Sequence, residues 1–263
     1  MPKIKINDIN LFYEIEGQGE PVLFLHGLGS STVDWEYQIP YFAKDYQTIT
    51  VDIRGHGQSD KPSGAYSIAL FADDISKFIK SSAISANKVN IVGISMGGML
   101  ALQVAASYPE LVKSIVVVNS LADFTLKNLS DKYQYFKRIL IVKLVGMRKM
   151  GEIIASRLLP GEEFAEIREI FANRWARNNK KAYLNSMAAI VNWTLEDSLD
   201  KITCPTLILT ADQDYTPIEK KQALAKAITN AKLAIITNSR HATPIDQKDE
   251  FNATVDKFIK GVN

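Results

Sequence analysis

With a single cysteine, Cys204, the chain can form neither an internal disulfide nor a cysteine-based metal cluster. The residue lies in Ile202-Thr203-Cys204-Pro205-Thr206, just before an apolar run, and reads as a small buried apolar side chain. Histidine is scarce as well: there are three. No H-E-x-x-H and no His/Asp group at ligand spacing occurs, so no metal is expected. No G-x-G-x-x-G or G-x-x-x-x-G-K-[ST] follows a strand-like run, which removes the common nucleotide cradles. Charge excess is also missing. A net charge of +2 and a pI near 8.4 fall far short of a nucleic-acid footprint, so no nucleic-acid partner is expected. No apolar stretch approaches the ~20 residues that span a bilayer. Met1-Pro2-Lys3-Ile4-Lys5 passes straight into strand-like sequence with no apolar leader segment. The expectation is a cytoplasmic protein without stable membrane insertion.

What the chain does have is enough apolar sequence, 46%, to bury a sizeable core in 263 residues. The first ~20 residues read as a hairpin, Lys3 to Ile6 and Leu11 to Ile15, turned at Asn7-Asp8. Short apolar runs then recur: Val22–Leu25, Thr48–Val51, Val89–Val92, Ile115–Val118, Leu207–Leu209 and Leu233–Ile236. Runs rich in Val and Ile suit a parallel sheet covered on both faces, and helices between them suit right-handed crossovers. Phe71, Ile75, Phe78 and Ile79 form one helical stripe; Phe251, Val255, Phe258 and Ile259 form another. The alternation breaks between about Ala122 and Leu195, where helix-forming sequence replaces strands. That stretch reads as an inserted helical cap, dividing the chain into a first core segment 1–121, a cap 122–195 and a second core segment 196–263. Its basic residues (Lys127, Lys132, Lys137, Arg138, Lys143, Arg148 and Lys149) read as a solvated outer face, with a lipid-seeking lid as the sharper alternative.

Gly93-Ile94-Ser95-Met96-Gly97-Gly98 carries the strongest chemical signal. A G-x-S-x-G spacing alone is common, but here a strand-like run precedes it and a helix-like run, Met96 to Ser107, follows. Such an elbow forces the serine into a strained backbone conformation and lifts its hydroxyl clear of the sheet. Ser95 is therefore the candidate nucleophile, and a serine hydroxyl at neutral pH needs a base beside it. His26 and His56 precede Ser95 in Gly-flanked turns and read as structural hydrogen-bonding groups. His241 follows the last strand. In elbow sites of this kind the acid and then the histidine follow the nucleophile along the chain, which selects His241 as the base. Asp212 and Asp214, after Leu207–Leu209, are both candidates for the acid. Asp214 lies deeper in the loop and is favoured, while Asp212 can cap the turn. Two backbone N–H groups should receive the developing oxyanion: that of Met96, at the helix start, and that of Leu28, in the turn His26-Gly27-Leu28-Gly29.

Together these segments resemble the α/β-hydrolase superfamily, near the small carboxylesterases, 3-oxoadipate enol-lactonases and pimeloyl-carrier-protein methyl esterases. The carriers are Leu25-His26-Gly27-Leu28-Gly29 with Trp35 downstream, Asp52-Ile53-Arg54-Gly55-His56-Gly57-Gln58-Ser59, the Ser95 elbow, Cys204-Pro205-Thr206-Leu207, and the Asp214 and His241 segments. The resemblance implies an α/β fold with an eight-stranded, mostly parallel sheet flanked by helices, and no cofactor. Two positions depart from the family pattern. Ala211 stands where the acid loop usually has glycine, with Pro217 three rather than four residues after Asp214, which keeps Asp212 in play. Arg240 stands where glycine usually precedes the histidine, either on the surface or at the pocket rim.

The chemistry these residues suggest is hydrolysis of a small-molecule ester or lactone through an acyl-enzyme on Ser95. His241 would act as base, and activity would rise as it loses its proton, around the ordinary histidine value of ~6.5. Leu28, Trp35, Met96 and cap side chains are expected to line an apolar cleft. The same triad also suits a C–C bond hydrolase, a perhydrolase, or a ligand receptor that turns over slowly.

Overall fold

The computed structural model describes residues 2–262 other than Ser85 and Asn192. Eight strands form one sheet: β1 (Lys3–Ile6), β2 (Ile9–Glu16), β3 (Glu20–Leu25), β4 (Tyr46–Val51), β5 (Val89–Ile94), β6 (Val112–Val118), β7 (Thr206–Ala211) and β8 (Ala231–Ile236). Their order is β1-β2-β4-β3-β5-β6-β7-β8, with β1–β2 and β2–β4 antiparallel and every later pair parallel. Ten α-helices accompany them among the described residues. They are α1 (Ile39–Phe42), α2 (Ile68–Ile79), α3 (Met96–Ser107), α4 (Leu129–Leu140), α5 (Met147–Leu158), α6 (Ala165–Ala176), α7 (Lys180–Ile190), α8 (Ile218–Ala227), α9 (Thr243–Asp246) and α10 (Lys248–Lys260).

The strands are apolar on both sides because both faces are covered. Side chains alternate across the sheet with period 2. Leu23 and Leu25 of β3, Ile91 of β5, and Ile115 and Val117 of β6 pack with Phe71, Ile75 and Phe78 of α2. Val22 and Phe24, Val92, and Val116 and Val118 pack on the other face with Phe42 of α1 and Phe251, Val255 and Ile259 of α10. The expected stripes on α2 and α10 are thus the surfaces that cover the sheet.

Trp35, expected in the cleft, belongs to this second face. It is 1% exposed and lies against Phe24 and Phe251, with ring centroids 5.0 and 6.5 Å away. The turn Thr32–Trp35 faces it away from the strand ends that open onto the cavity described below. Trp35 is a core residue of the sheet's far side.

Between β6 and β7 the chain makes α4 to α7, with a short π-helical turn, Ile141–Val145, joining α4 to α5. The segment has its own apolar cluster, including Val142, Met150, Phe171, Trp175, Tyr183 and Met187. Its ends are tied together at the base. Phe124 N–H donates to Trp193 O (2.9 Å), Leu195 N–H donates to Ala122 O (2.8 Å), and Asp123 bridges Thr194.

Candidate active site

β5 ends at Ile94, α3 begins at Met96, and Ser95 makes the whole turn between them at φ 55°, ψ −116°. A non-glycine residue there is strained, and the surrounding structure holds it. The neighbouring glycines explain why the turn can be this tight. A Cβ on Gly97 would lie 2.0 Å from Leu25 O, and one on Gly93 would lie 2.1 Å from Gly97 O. Ser95 N–H donates to Val118 O (2.9 Å), and Ser120 Oγ donates to Ser95 O (2.7 Å), so β6 braces the elbow.

The loop after β3 approaches from the other side. A Cβ on Gly27 would touch the Ser95 Cβ at 3.5 Å, which places Leu28 beside the serine. Met96 is the first residue of α3, and an N–H in that position has no intrahelical acceptor. His26 anchors the loop. Its Nε2 accepts from Ile53 N–H (3.0 Å), so Nδ1 is protonated and donates to Gly27 O (2.8 Å). Burial holds His26 at about 4 and His56 at about 3, so both are neutral fixtures. Asp52 accepts from Thr32 N–H (2.7 Å) and Gln58 N–H (2.6 Å), tying the loops after β3 and β4 together.

The two aspartates after β7 separate by what they bond. Asp212 accepts from Asn238 N–H (3.0 Å) and Ser239 N–H (3.1 Å), fastening the turn after β8. Asp214 Oδ1 meets His241 Nδ1 at 2.7 Å. Its other oxygen accepts from Lys221 Nζ and Thr216 Oγ1. Burial pushes the Asp214 carboxyl up, but the hydrogen bond and charge of His241, with Lys221 and Thr216, outweigh it and hold the group at about 2. Asn119, at φ 45° just after β6, positions the histidine loop. Its Nδ2 donates to His241 O (3.0 Å) and Thr243 Oγ1 (2.8 Å), while its Oδ1 accepts from Ala211 N–H (2.8 Å). Arg240 is exposed and does not line the cavity.

Three residues on the site went unread in the sequence. Tyr215 donates its hydroxyl to His241 Nε2 at 3.0 Å, and the same hydroxyl is hydrogen-bonded to Ser95. Its ring lies 4.3 Å from the imidazole, centroid to centroid. Although the residue as a whole is half-exposed, its hydroxyl is desolvated between His241 and Ser95, which pushes the phenol up to about 12, so it stays protonated at neutral pH. Lys221 is wholly buried behind Asp214. Asn119 is the third. The only signal for Tyr215 and Lys221 was proximity in sequence to Asp214.

Ser95, Tyr215 and His241 open into a cavity of about 520 Å³ between the sheet and the helical segment. Gly27 and Leu28 line its floor; Met150, Ile154, Phe171 and Met187 line its roof. Arg138 also faces it, correcting its assignment to the outer surface: Nε donates to Tyr183 Oη at 2.6 Å. Arg157 stands at the mouth with its guanidinium 4.9 Å from the Tyr215 ring centroid. Among the described residues no cluster of His, Cys, Asp and Glu is arranged to hold a metal ion.

Comparison with known proteins bears on the family and the fold. The model of a protein family described as alpha/beta hydrolase fold matches residues 20–247. The chain is 28% identical over 262 residues to 3-oxoadipate enol-lactonase 2 of Acinetobacter baylyi, covering 97% of this chain and 95% of that protein. It is 27% identical, over the same shares, to the (E)-2-((N-methylformamido)methylene)succinate hydrolase of that species. An esterase from Exiguobacterium antarcticum superposes with a TM-score of 0.90 at 25% identity, covering 98% of both chains. The enol-lactonase from Burkholderia xenovorans superposes equally well at 22% identity, covering 98% of this chain and 100% of that one, a likeness of fold.

Proposed function

The chain belongs to the α/β-hydrolase fold family, and from that premise we propose that it hydrolyses carboxylic esters or lactones through an acyl-enzyme on Ser95. The observation that carries the reading is the Asp214–His241 contact of 2.7 Å beside a strained serine at the floor of a largely apolar cavity. The enol-lactonase among its relatives supports a lactone bond, and the second relative supports hydrolysis more generally.

In this mechanism Ser95 Oγ attacks the acyl carbonyl while His241 Nε2 takes the hydroxyl proton. Asp214 fixes the Nδ1–H tautomer and stabilises the imidazolium without taking the proton. The N–H groups of Leu28 and Met96 receive the oxyanion. His241 returns its proton to the departing alkoxide, which in a lactone stays tethered to the acyl group. A water then attacks the acyl-enzyme by the same sequence and frees the acid. Turnover of p-nitrophenyl esters and simple lactones, with mass-spectrometric detection of a fluorophosphonate adduct on Ser95, tests this reading. Ligand binding without turnover or labelling would point to a receptor.

Two consequences follow from the local geometry. The Tyr215 hydroxyl occupies the space between Ser95 and His241, so substrate binding must displace it. Tyr215→Phe removes one hydrogen-bonding group whose net worth is about 0.5–1.5 kcal/mol, so kcat/KM should hold or rise by a factor of about 2–10. A hundredfold loss in steady-state kinetics would instead put the hydroxyl in the proton path. The pH profile should also be simple. Asp214, held at about 2, is ionised across the working range and adds no proton there, so the acid limb of kcat/KM should carry the slope of a single proton. A limb with the slope of two protons would contradict that assignment.

A further inference from the structure

Half of the twelve large apolar side chains exposed among the described residues lie in one stretch, α4 and the π-helical turn after it. Leu129 (84% exposed), Tyr133, Phe136, Leu140 and Leu144 (80%) recur at steps of three and four residues, so they share one face, with Val145 beside them. No residue of α4 is buried, although the helix is strongly amphipathic. The opposite face is spoken for: Gln134, Arg138 and Ile141 line the cavity, and the exposed Lys137, at the border of the two faces, reaches its rim.

Charge is concentrated in the same place. Residues 127–150 hold seven Lys or Arg against one Asp, a net +6 in a chain whose total is +2, so the remaining residues carry net −4. At about 100° per residue, Lys132 and Lys137 fall on the two edges of the apolar stripe. Both are exposed, as is Lys143 in the π turn, and none of the three has a carboxylate partner among the described residues.

We propose that α4 and its extension form an interfacial helix that seats the protein on an anionic lipid surface, with Leu129, Phe136, Leu140 and Leu144 buried among the acyl chains and Lys132, Lys137 and Lys143 at the headgroups. An apolar stripe edged by lysines is the pattern such a surface recognises. A second copy fits poorly. Stripe against stripe would bring the unpaired lysines of both copies together, and Asp131, the one acid in the segment, is already engaged by Lys127 N–H. No helix among the described residues is long and apolar enough to cross a membrane, so α4 lies in the interface rather than through it. The helix that would touch lipid also roofs the cavity, so its docking turns the cavity roof toward the bilayer surface.

The test is vesicle flotation of the full chain with phosphatidylcholine alone and with phosphatidylcholine containing about one-third phosphatidylglycerol, at low and high salt. Binding should require the anionic lipid and fall at least about tenfold at high salt, where charge attraction is screened. Leu140→Glu/Leu144→Glu should abolish it while leaving p-nitrophenyl acetate hydrolysis unchanged, which also shows that the variant folds. No flotation by the wild type, or equal binding to neutral vesicles at any salt, overturns the proposal. So does a wild-type dimer in light scattering that the double substitution converts to monomer.

Discussion

Ser95→Ala should lower kcat by about four orders of magnitude or more while the protein stays folded, because in the proposed mechanism a triad without its nucleophile loses the acyl-enzyme route altogether. The hydroxyl makes no contact that supports the fold. Its partner is Tyr215, itself half-exposed in the cavity, whereas the elbow is held by backbone bonds to Val118 and from Ser120 that alanine keeps. The strain lies in the backbone at φ 55°, and alanine shares it. Ser95→Gly does not. Glycine adopts positive φ without the Cβ penalty, so this variant should be equally inactive yet more stable, by about 1 kcal/mol or more. Denaturant titration of wild type and both variants, beside p-nitrophenyl ester kinetics, reads the two effects separately. Turnover within tenfold of wild type in either variant would remove Ser95 from the chemistry. A Gly variant less stable than wild type would show that the elbow is not strained in solution.

That the elbow could be read from sequence, and other parts of the site could not, has a physical reason. Gly93 and Gly97 are required by contacts within a few residues or with the adjacent strand, so local spacing encodes them. The strands were legible because a sheet covered on both faces demands unbroken apolar runs. Trp35 was misplaced because a turn residue has no period. Its face is decided by α10, more than 200 residues away, and sequence proximity to Leu28 carries no orientation. Asp212 and Asp214 are two residues apart in one loop, and only the fold shows that one fastens the turn after β8 and the other meets the imidazole. The apolar stripe of α4 reads like any core-facing helix, and its exposure becomes visible only once the sheet is already covered by other helices. Lys221, on the polar α8, reads as solvated for the opposite reason. A lysine there normally reaches water, and the buried carboxylate that draws it inward lies across a turn.

Lys221→Met should destabilise the protein by about 3–5 kcal/mol, since removing one partner of a buried ion pair leaves the other charge uncompensated. Nζ donates to Asp214 Oδ2 and to Thr216 O (3.0 Å), and both side chains of the pair are wholly buried. Burial pulls the ammonium below its ordinary value, and the Asp214 carboxylate offsets only part of that. The pair also bears on catalysis. A triad carboxylate that shares its charge with a lysine holds the imidazolium less tightly than one facing histidine alone. Without the ammonium, the acid limb of kcat/KM should move to higher pH, each unit corresponding to 1.36 kcal/mol of added imidazolium stabilisation. The acid stability should change too. Asp214 sits at about 2 in the fold against an ordinary 3.8, so it contributes stability above about 4 that is lost as pH falls through about 2. With Lys221 gone, that folded value rises and unfolding begins at a higher pH. A merely structural lysine would lower the melting temperature and leave the pH–rate limb where it was. A limb displaced in the variant's remaining folded fraction, measured below its melting temperature, is the outcome that makes Lys221 a positioning residue of the triad.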